Sequence, residues 1–158
     1  MQHHVSQRLK EYLLLIRLPN VFTTPSNILT GYFAAVTVAE ADSVHLFALM
    51  VSSGLLYVAG IVLNDYFDIE IDKKERPTRP LPSGNVSKRK ALTIAISSMI
   101  AANLISLVIS WMSFVFAVIL TAIIIAYDSR LKHKTITGPI SMSFARFVNV
   151  ILGASPAF

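Results

Sequence analysis

Asn64-Asp65-Tyr66-Phe67-Asp68-Ile69-Glu70-Ile71-Asp72-Lys73-Lys74-Glu75-Arg76-Pro77-Thr78-Arg79-Pro80-Leu81-Pro82-Ser83-Gly84 carries five of the chain's nine acidic residues between Asp65 and Glu75, then turns basic and proline-rich. It follows directly on an apolar run, Val44 to Asn64, long enough to cross roughly 30 Å of hydrocarbon, which takes about 20 helical residues. If that helix continues at about 100° per residue, Asp65, Asp68 and Asp72 fall within roughly 60° of one another while Glu70 points elsewhere. Like charges on adjacent turns repel, and more strongly at the mouth of a low-dielectric bundle than in water, so the face calls for a cation.

A hard divalent ion fits that demand. Magnesium takes one or two carboxylates together with waters and phosphate oxygens, whereas zinc favours His or Cys, which the segment lacks. The ligand implied is a metal-bound phosphate or diphosphate. Arg76 and Arg79 supply planar, permanently charged phosphate donors in a loop stiffened by Pro77, Pro80 and Pro82, and cationic charge beside a metal-bound diphosphate assists its departure. The competing reading is a solvated acidic stretch neutralised by Lys73, Lys74 and Arg76.

Outward from this segment the chain is a series of apolar runs. Five candidate spans are expected, approximately Leu18 to Ala39, Val44 to Asn64, Ala91 to Ser110, Met112 to Tyr127 and Gly138 to Phe158. Composition agrees: the 158 residues are 54% hydrophobic and 15% charged, against about 25% charged in a soluble domain. The fold class expected is all-α, a polytopic transmembrane helical bundle, and residues 1–158 form a single domain with no internal repeat or linker. The absence of cysteine excludes disulfides and thiolate chemistry.

The basic residues sit in clusters between the runs and not on one face, so a nucleic-acid partner is not expected. Arg8, Lys10 and Arg17 precede the first span, seven Lys or Arg separate the second from the third, and Arg130, Lys132 and Lys134 follow the fourth. The alternate connections have none. The positive-inside rule then places the N-terminus and the aspartate-rich loop in the cytoplasm, with Trp111 at the outer interface.

Arg146 stands near the middle of an apolar run, where an ionised side chain costs about 2.5–3.5 kcal/mol and is expected to face a cavity or partner. Asn27 and Asn149 either line the same cavity or make interhelical hydrogen bonds. His45 and His133 fall at opposite membrane edges and do not share a metal. Gly31, Gly54, Gly60 and Gly153 are expected to permit close helix packing.

Asn-Asp-x-x-Asp-x-x-x-Asp followed by Arg-Pro-Leu-Pro-Ser-Gly resembles the first aspartate-rich motif of the UbiA superfamily of membrane prenyltransferases. Arg17-Leu18-Pro19-Asn20, Tyr127-Asp128-Ser129-Arg130-Leu131-Lys132, and Arg146 with Asn149 and Leu152-Gly153 are also similar to the family's pattern. The resemblance implies a helical bundle of usually nine spans around a cavity, about five of them present here. It implies Asn64, Asp65, Asp68 and Asp72 as the magnesium-diphosphate ligands, and Lys132 as a basic residue at the diphosphate. Arg76, Arg79, Tyr127, Arg146 and Asn27 complete the expected substrate-binding set, and Asp65, Asp68, Asp72, Arg79 and Lys132 are the expected catalytic residues.

The activity so implied is magnesium-dependent transfer of an isoprenoid group from a prenyl diphosphate to a lipid-soluble acceptor in the bilayer, either aromatic or of the glycerol-phosphate type. The Arg-Pro-x-Arg-Pro-x-Pro-Ser-Gly loop leans towards the latter. The family's second aspartate-rich motif is not found after Asp128, so the expectation is an N-terminal part of a longer product, truncated at its C-terminus and with little turnover alone. Two other readings are a CDP-alcohol phosphotransferase-like enzyme and a non-catalytic channel, transporter or assembly factor with a cation-binding acidic loop. The first needs Gly where Ile69 stands.

Overall fold

The apolar residues that follow Asp42 form the longest helix of the chain, α4 (Ser43–Phe67), in a computed structural model that describes residues 2–21, 23–37, 41–132 and 134–158. The Asp42 side chain caps it, accepting from the backbone N–H groups of Val44 and His45 at 2.8 and 3.2 Å. Before it come α1 (Gln2–Leu15), α2 (Leu18–Val21) and α3 (Pro25–Ala35); after it α5 (Ile69–Glu75), α6 (Lys88–Ile109), α7 (Trp111–Ala126) and α8 (Thr137–Ala154). A π-turn over Tyr127–Leu131 extends α7, and a 3₁₀ turn over Ser155–Ala157 extends α8. The fold is all-helical, with no strand among the described residues.

The first expected span departs from its reading. Leu18 to Ala39 is not one helix: α2 stops at Val21, and α3 begins afresh at Pro25. Proline has no N–H to continue a helix but is well suited to its first position, which is where Pro25 sits. The eleven residues of α3 rise only about 16 Å, short of the hydrocarbon thickness. Four helices among the described residues are long and apolar enough to cross a membrane: Ser43–Phe67, Lys88–Ile109, Trp111–Leu131 and Thr137–Ala157. The chain before Arg17 is helical as α1 and buries Leu15 completely. His133 lies outside the described residues.

Helix α4 packs along α6, α6 against α7, α7 against α8, α8 against α3, and α3 back against α4, which closes a ring of five helices. At the α3–α8 contact the backbones approach closely: a Cβ at Gly31 would overlap the Val150 carbonyl, and one at Gly153 would overlap that of Ile28. Small residues in this role let helices meet where lipid supplies no hydrophobic drive. Serines tie other seams. Ser52 Oγ donates to the Ala102 carbonyl at 3.0 Å and lies 2.9 Å from Ser106 Oγ, while Ser113 and Ser155 hydroxyls are 2.7 Å apart. Large apolar side chains such as Val108, Trp111, Ile140 and Phe147 face outward, as a lipid-facing surface requires.

Candidate active site

The run of carboxylates does not lie on one continuous helix. α4 ends at Phe67 and α5 starts at Ile69, with Asp68 between them at φ −90°, ψ 6°. Backbone bonds from Asp68 N to Asn64 O (3.0 Å) and from Asp72 N to Asp68 O (2.8 Å) carry the chain across the break. The three aspartates consequently divide between two sets of partners.

Asp65 and Asp72 are buried and held by arginines. Arg79 Nη1 donates to Asp65 Oδ1 at 3.2 Å and to Asp72 Oδ2 at 2.7 Å, and Arg17 Nη2 donates to Asp65 Oδ1 at 2.7 Å. Arg76 is more peripheral, 57% exposed at its side chain and 3.9 Å from Asp72 Oδ1. Arg17 adopts φ 48°, a left-handed conformation uncommon outside glycine, in the short link between α1 and α2. Backbone in that region is retained where surrounding contacts hold it, and here the guanidinium is anchored 48 residues away in sequence.

Asp68 turns to Lys132. Lys132 Nζ is 2.7 Å from Asp68 Oδ1, an ion pair without the angles of a hydrogen bond, and it donates to Asn64 Oδ1 at 3.2 Å. The same ammonium stands 6.0 Å from the centre of the Phe67 ring. Lys132 reaches α4 because the end of α7 widens into the π-turn, closed by Lys132 N to Tyr127 O at 3.1 Å. Such widened turns recur at functional sites. The first residues of the turn, Tyr127 and Asp128, face the same space as Asn64.

That space is a cavity of about 390 Å³ running from the aspartate end of the bundle towards its middle, walled mostly by apolar residues of α4 and α7 such as Leu56, Leu120 and Ile124. Its polar lining includes Arg17, Asn27, Asn64, Tyr127, Asp128 and Arg146. Asn149 serves both of its expected roles: it lines the cavity and accepts from Ser53 Oγ at 2.9 Å across the α4–α8 contact. Arg146 makes no ion pair or hydrogen bond among the described residues.

The structure therefore brings Asn64, Asp68 and Lys132 together beside the cavity and gathers Asp65, Asp72 and Arg79 into an adjoining network. Tyr127, Arg146 and Asn27 line the same cavity as Asn64, and Arg76 stays at the rim. No group of three or more His, Asp or Glu side chains among the described residues is arranged to hold a metal. Asn64 and Asp68 do fit magnesium with its preference for few protein ligands, since their side-chain oxygens already converge on one cationic nitrogen beside open space. Asp65 and Asp72 each accept from guanidinium groups through one oxygen, Oδ1 and Oδ2 respectively, and so also hold the basic loop in place.

Two residues of the site go beyond the expected set. Arg17 is legible in sequence only as part of Arg17-Leu18-Pro19-Asn20, with nothing to pair it with Asp65. Asp128 is 2% exposed, lines the cavity, and leaves Oδ1 without a hydrogen-bond partner among the described residues. Its signal was its place in the segment that ends at Lys132.

Comparison with known proteins bears on the family and the fold. The profile of the UbiA prenyltransferase family covers residues 26–157. The digeranylgeranylglyceryl phosphate synthase of Methanothrix thermoacetophila is 35% identical over 92% of this chain and 55% of its own length. That of Ignicoccus hospitalis is 29% identical over 94% of this chain and 48% of its own. The chain thus spans about half the length of the curated relatives it matches. A solved structure from work on digeranylgeranylglyceryl phosphate synthase in membranes superposes with a TM-score of 0.89 at 28% identity, covering 96% of this chain and 54% of that one. A UbiA homologue from Archaeoglobus fulgidus, bound to DMAPP and Mg2+, shares the fold with a TM-score of 0.85 at 18% identity over 93% of this chain and 54% of its own. With the fold, the aspartate motif and the family profile in agreement over most of its length, the chain belongs to the UbiA prenyltransferase family.

Proposed function

We propose that the protein carrying this chain transfers an isoprenoid group from a prenyl diphosphate to a glycerol-phosphate-type lipid within the membrane, with magnesium as cofactor and the aspartate end in the cytoplasm. The observation that carries this reading is the convergence of Asn64 Oδ1 and Asp68 Oδ1 on Lys132 Nζ beside an apolar-walled cavity. The relatives' shared name supports the acceptor class, and the basic connections at the aspartate end support the orientation. Family membership removes the phosphotransferase alternative.

Asn64 and Asp68 would hold the magnesium ion, which when bound neutralises charge on the diphosphate oxygens. Lys132 supplies a further positive charge where the leaving group develops its own, and Arg79 retains N–H groups beyond those given to Asp65 and Asp72. The bond between the allylic carbon and the diphosphate oxygen breaks with its electron pair leaving on oxygen. The acceptor hydroxyl oxygen then bonds to that carbon and gives up its proton. The apolar walls at Leu56, Leu120 and Ile124 keep water from the allylic cation.

The test is diphosphate release in membranes expressing the complete reading frame that encodes this chain. Geranylgeranyl and farnesyl diphosphate are offered with geranylgeranylglyceryl phosphate or with aromatic acceptors, beside Asp68→Ala. Release that needs both the glyceryl phosphate and magnesium, and vanishes in the variant, is the expected result. Release with aromatic acceptors only would overturn the acceptor, and no release from folded protein would return weight to a non-catalytic cation site.

A further inference from the structure

The cavity has a second polar region away from the aspartates, and its depth follows from one hydrogen bond. Ser53 Oγ to Asn149 Oδ1, 2.9 Å, fixes α4 and α8 at the same level. Asn64 lies eleven residues farther along α4, about 16 Å of helical rise towards the aspartate end. Arg146 lies less than one turn from Asn149 in the same direction along the antiparallel α8, so its Cα sits about 12 Å below Asn64. A diphosphate seated at Asn64, Asp68 and Lys132 leaves this arginine unanswered.

What surrounds Arg146 is donor-rich. Because Ser53 donates to Asn149 Oδ1, the Asn149 amide nitrogen is a donor with its hydrogens unassigned. The Asn27 side chain lines the same cavity and, like Arg146, has no hydrogen bond to another described side chain. A permanently charged, planar fork on an apolar helix, sharing its cavity wall with two amides, suits a bidentate oxyanion and not a neutral ring. We infer that Arg146, with Asn27 and Asn149, forms a second anion subsite that binds the phosphate headgroup of the acceptor lipid and so selects acceptors carrying that group. The inference rests on the prenyl-transfer reading above and assigns the acceptor's half of the cavity.

The two phosphate-bearing substrates are then held by different residues. The diphosphate sits at the mouth, and the acceptor phosphate lies deeper, with the acceptor hydroxyl between the two anions. Repulsion between them is limited by that separation, and each has its own cation.

The test uses the complete reading frame in membranes and measures KM separately for geranylgeranyl diphosphate and for acceptor. The acceptors are geranylgeranylglyceryl phosphate, its phosphate-free alcohol and 4-hydroxybenzoate, each with wild type, Arg146→Gln and Arg146→Lys. Expected is a rise of at least 10-fold in KM for the phosphate acceptor in Arg146→Gln, with KM for the diphosphate within 2-fold of wild type. The preference for phosphate over alcohol should collapse, and Arg146→Lys should restore part of it. Equal rises in both KM values, or none, would overturn the subsite, and selective loss of 4-hydroxybenzoate would reassign it to a carboxylate. If wild type transfers to no acceptor, the functional reading fails. Binding of hexadecylglyceryl phosphate against hexadecylglycerol to purified wild type and Arg146→Gln then decides the subsite alone. A phosphate preference lost in the variant supports it, and equal binding overturns it.

Discussion

Arg79 joins Asp65 to Asp72 across the break in the helix, its Nη1 lying 3.2 Å from one carboxylate and 2.7 Å from the other. The aspartate side chains are 5% and 4% exposed, so the pairing is made out of bulk water and is not interchangeable with a surface contact. It makes the proline-punctuated loop and the two helix segments one unit.

Replacing Arg79 with Ala should lower unfolding stability by about 2 kcal/mol, because Asp72 then keeps only the distant Arg76 while Arg17 still answers Asp65. The variant Asp72→Asn added to Arg79→Ala should recover part of that loss. Detergent-solubilised thermal melts of both variants check this, and additive losses in the double variant would show that the pair is not coupled.

Lys132→Met should reduce prenyl-transfer kcat/KM about 100-fold, the scale of removing a charge-stabilising donor from a developing anion. Its effect on folding should be smaller than that of Arg79→Ala, since the carboxylate it leaves without an ion pair, Asp68, is 22% exposed and can take water, whereas Asp72 is 4% exposed. Steady-state kinetics alongside melting curves separate the two effects.

Gly31→Ala and Gly54→Ala should differ in sign. A Cβ at Gly31 meets the backbone of Val150, which cannot rotate away, so about 1–3 kcal/mol of overpacking is expected. At Gly54 the nearest atom is Val21 Cγ1 at 3.6 Å, ordinary contact, and the better helix propensity of alanine should leave stability equal or slightly higher. Unfolding midpoints of the two variants test the comparison directly.

Asp128→Asn should leave the protein at least as stable as wild type, because it removes a buried carboxylate with one oxygen unpartnered among the described residues. Transfer activity should fall at least 10-fold if this side chain serves the cavity it lines. Unchanged activity with raised stability would show that Asp128 has no part in the reaction.

Much of the architecture is legible from runs of apolar residues, because a helix in lipid must satisfy its own backbone and announces itself by length. The first span was misread for a local reason: Pro25 starts a helix, and hydropathy summed over a window does not register where hydrogen bonding restarts. The aspartate spacing, likewise, rests on a continuous helix that Asp68 interrupts. Asn64, Asp68 and Lys132 were expected at one site and come together there, whereas the partnership of Arg17 with Asp65 had no local signal, being a contact between residues 48 apart in sequence.

The sequence alone determined that this is an all-helical membrane chain of the UbiA family, since those conclusions depend on composition, period and a motif confined to adjacent residues. Only the tertiary structure decided which aspartates face arginine and which faces lysine, and that Asn27, Arg146 and Asn149 share a cavity wall. Those assignments depend on where separate helices meet in depth and rotation, and the hydrogen bond from Ser53 to Asn149 and the π-turn at Tyr127 set that register through contacts no single segment encodes.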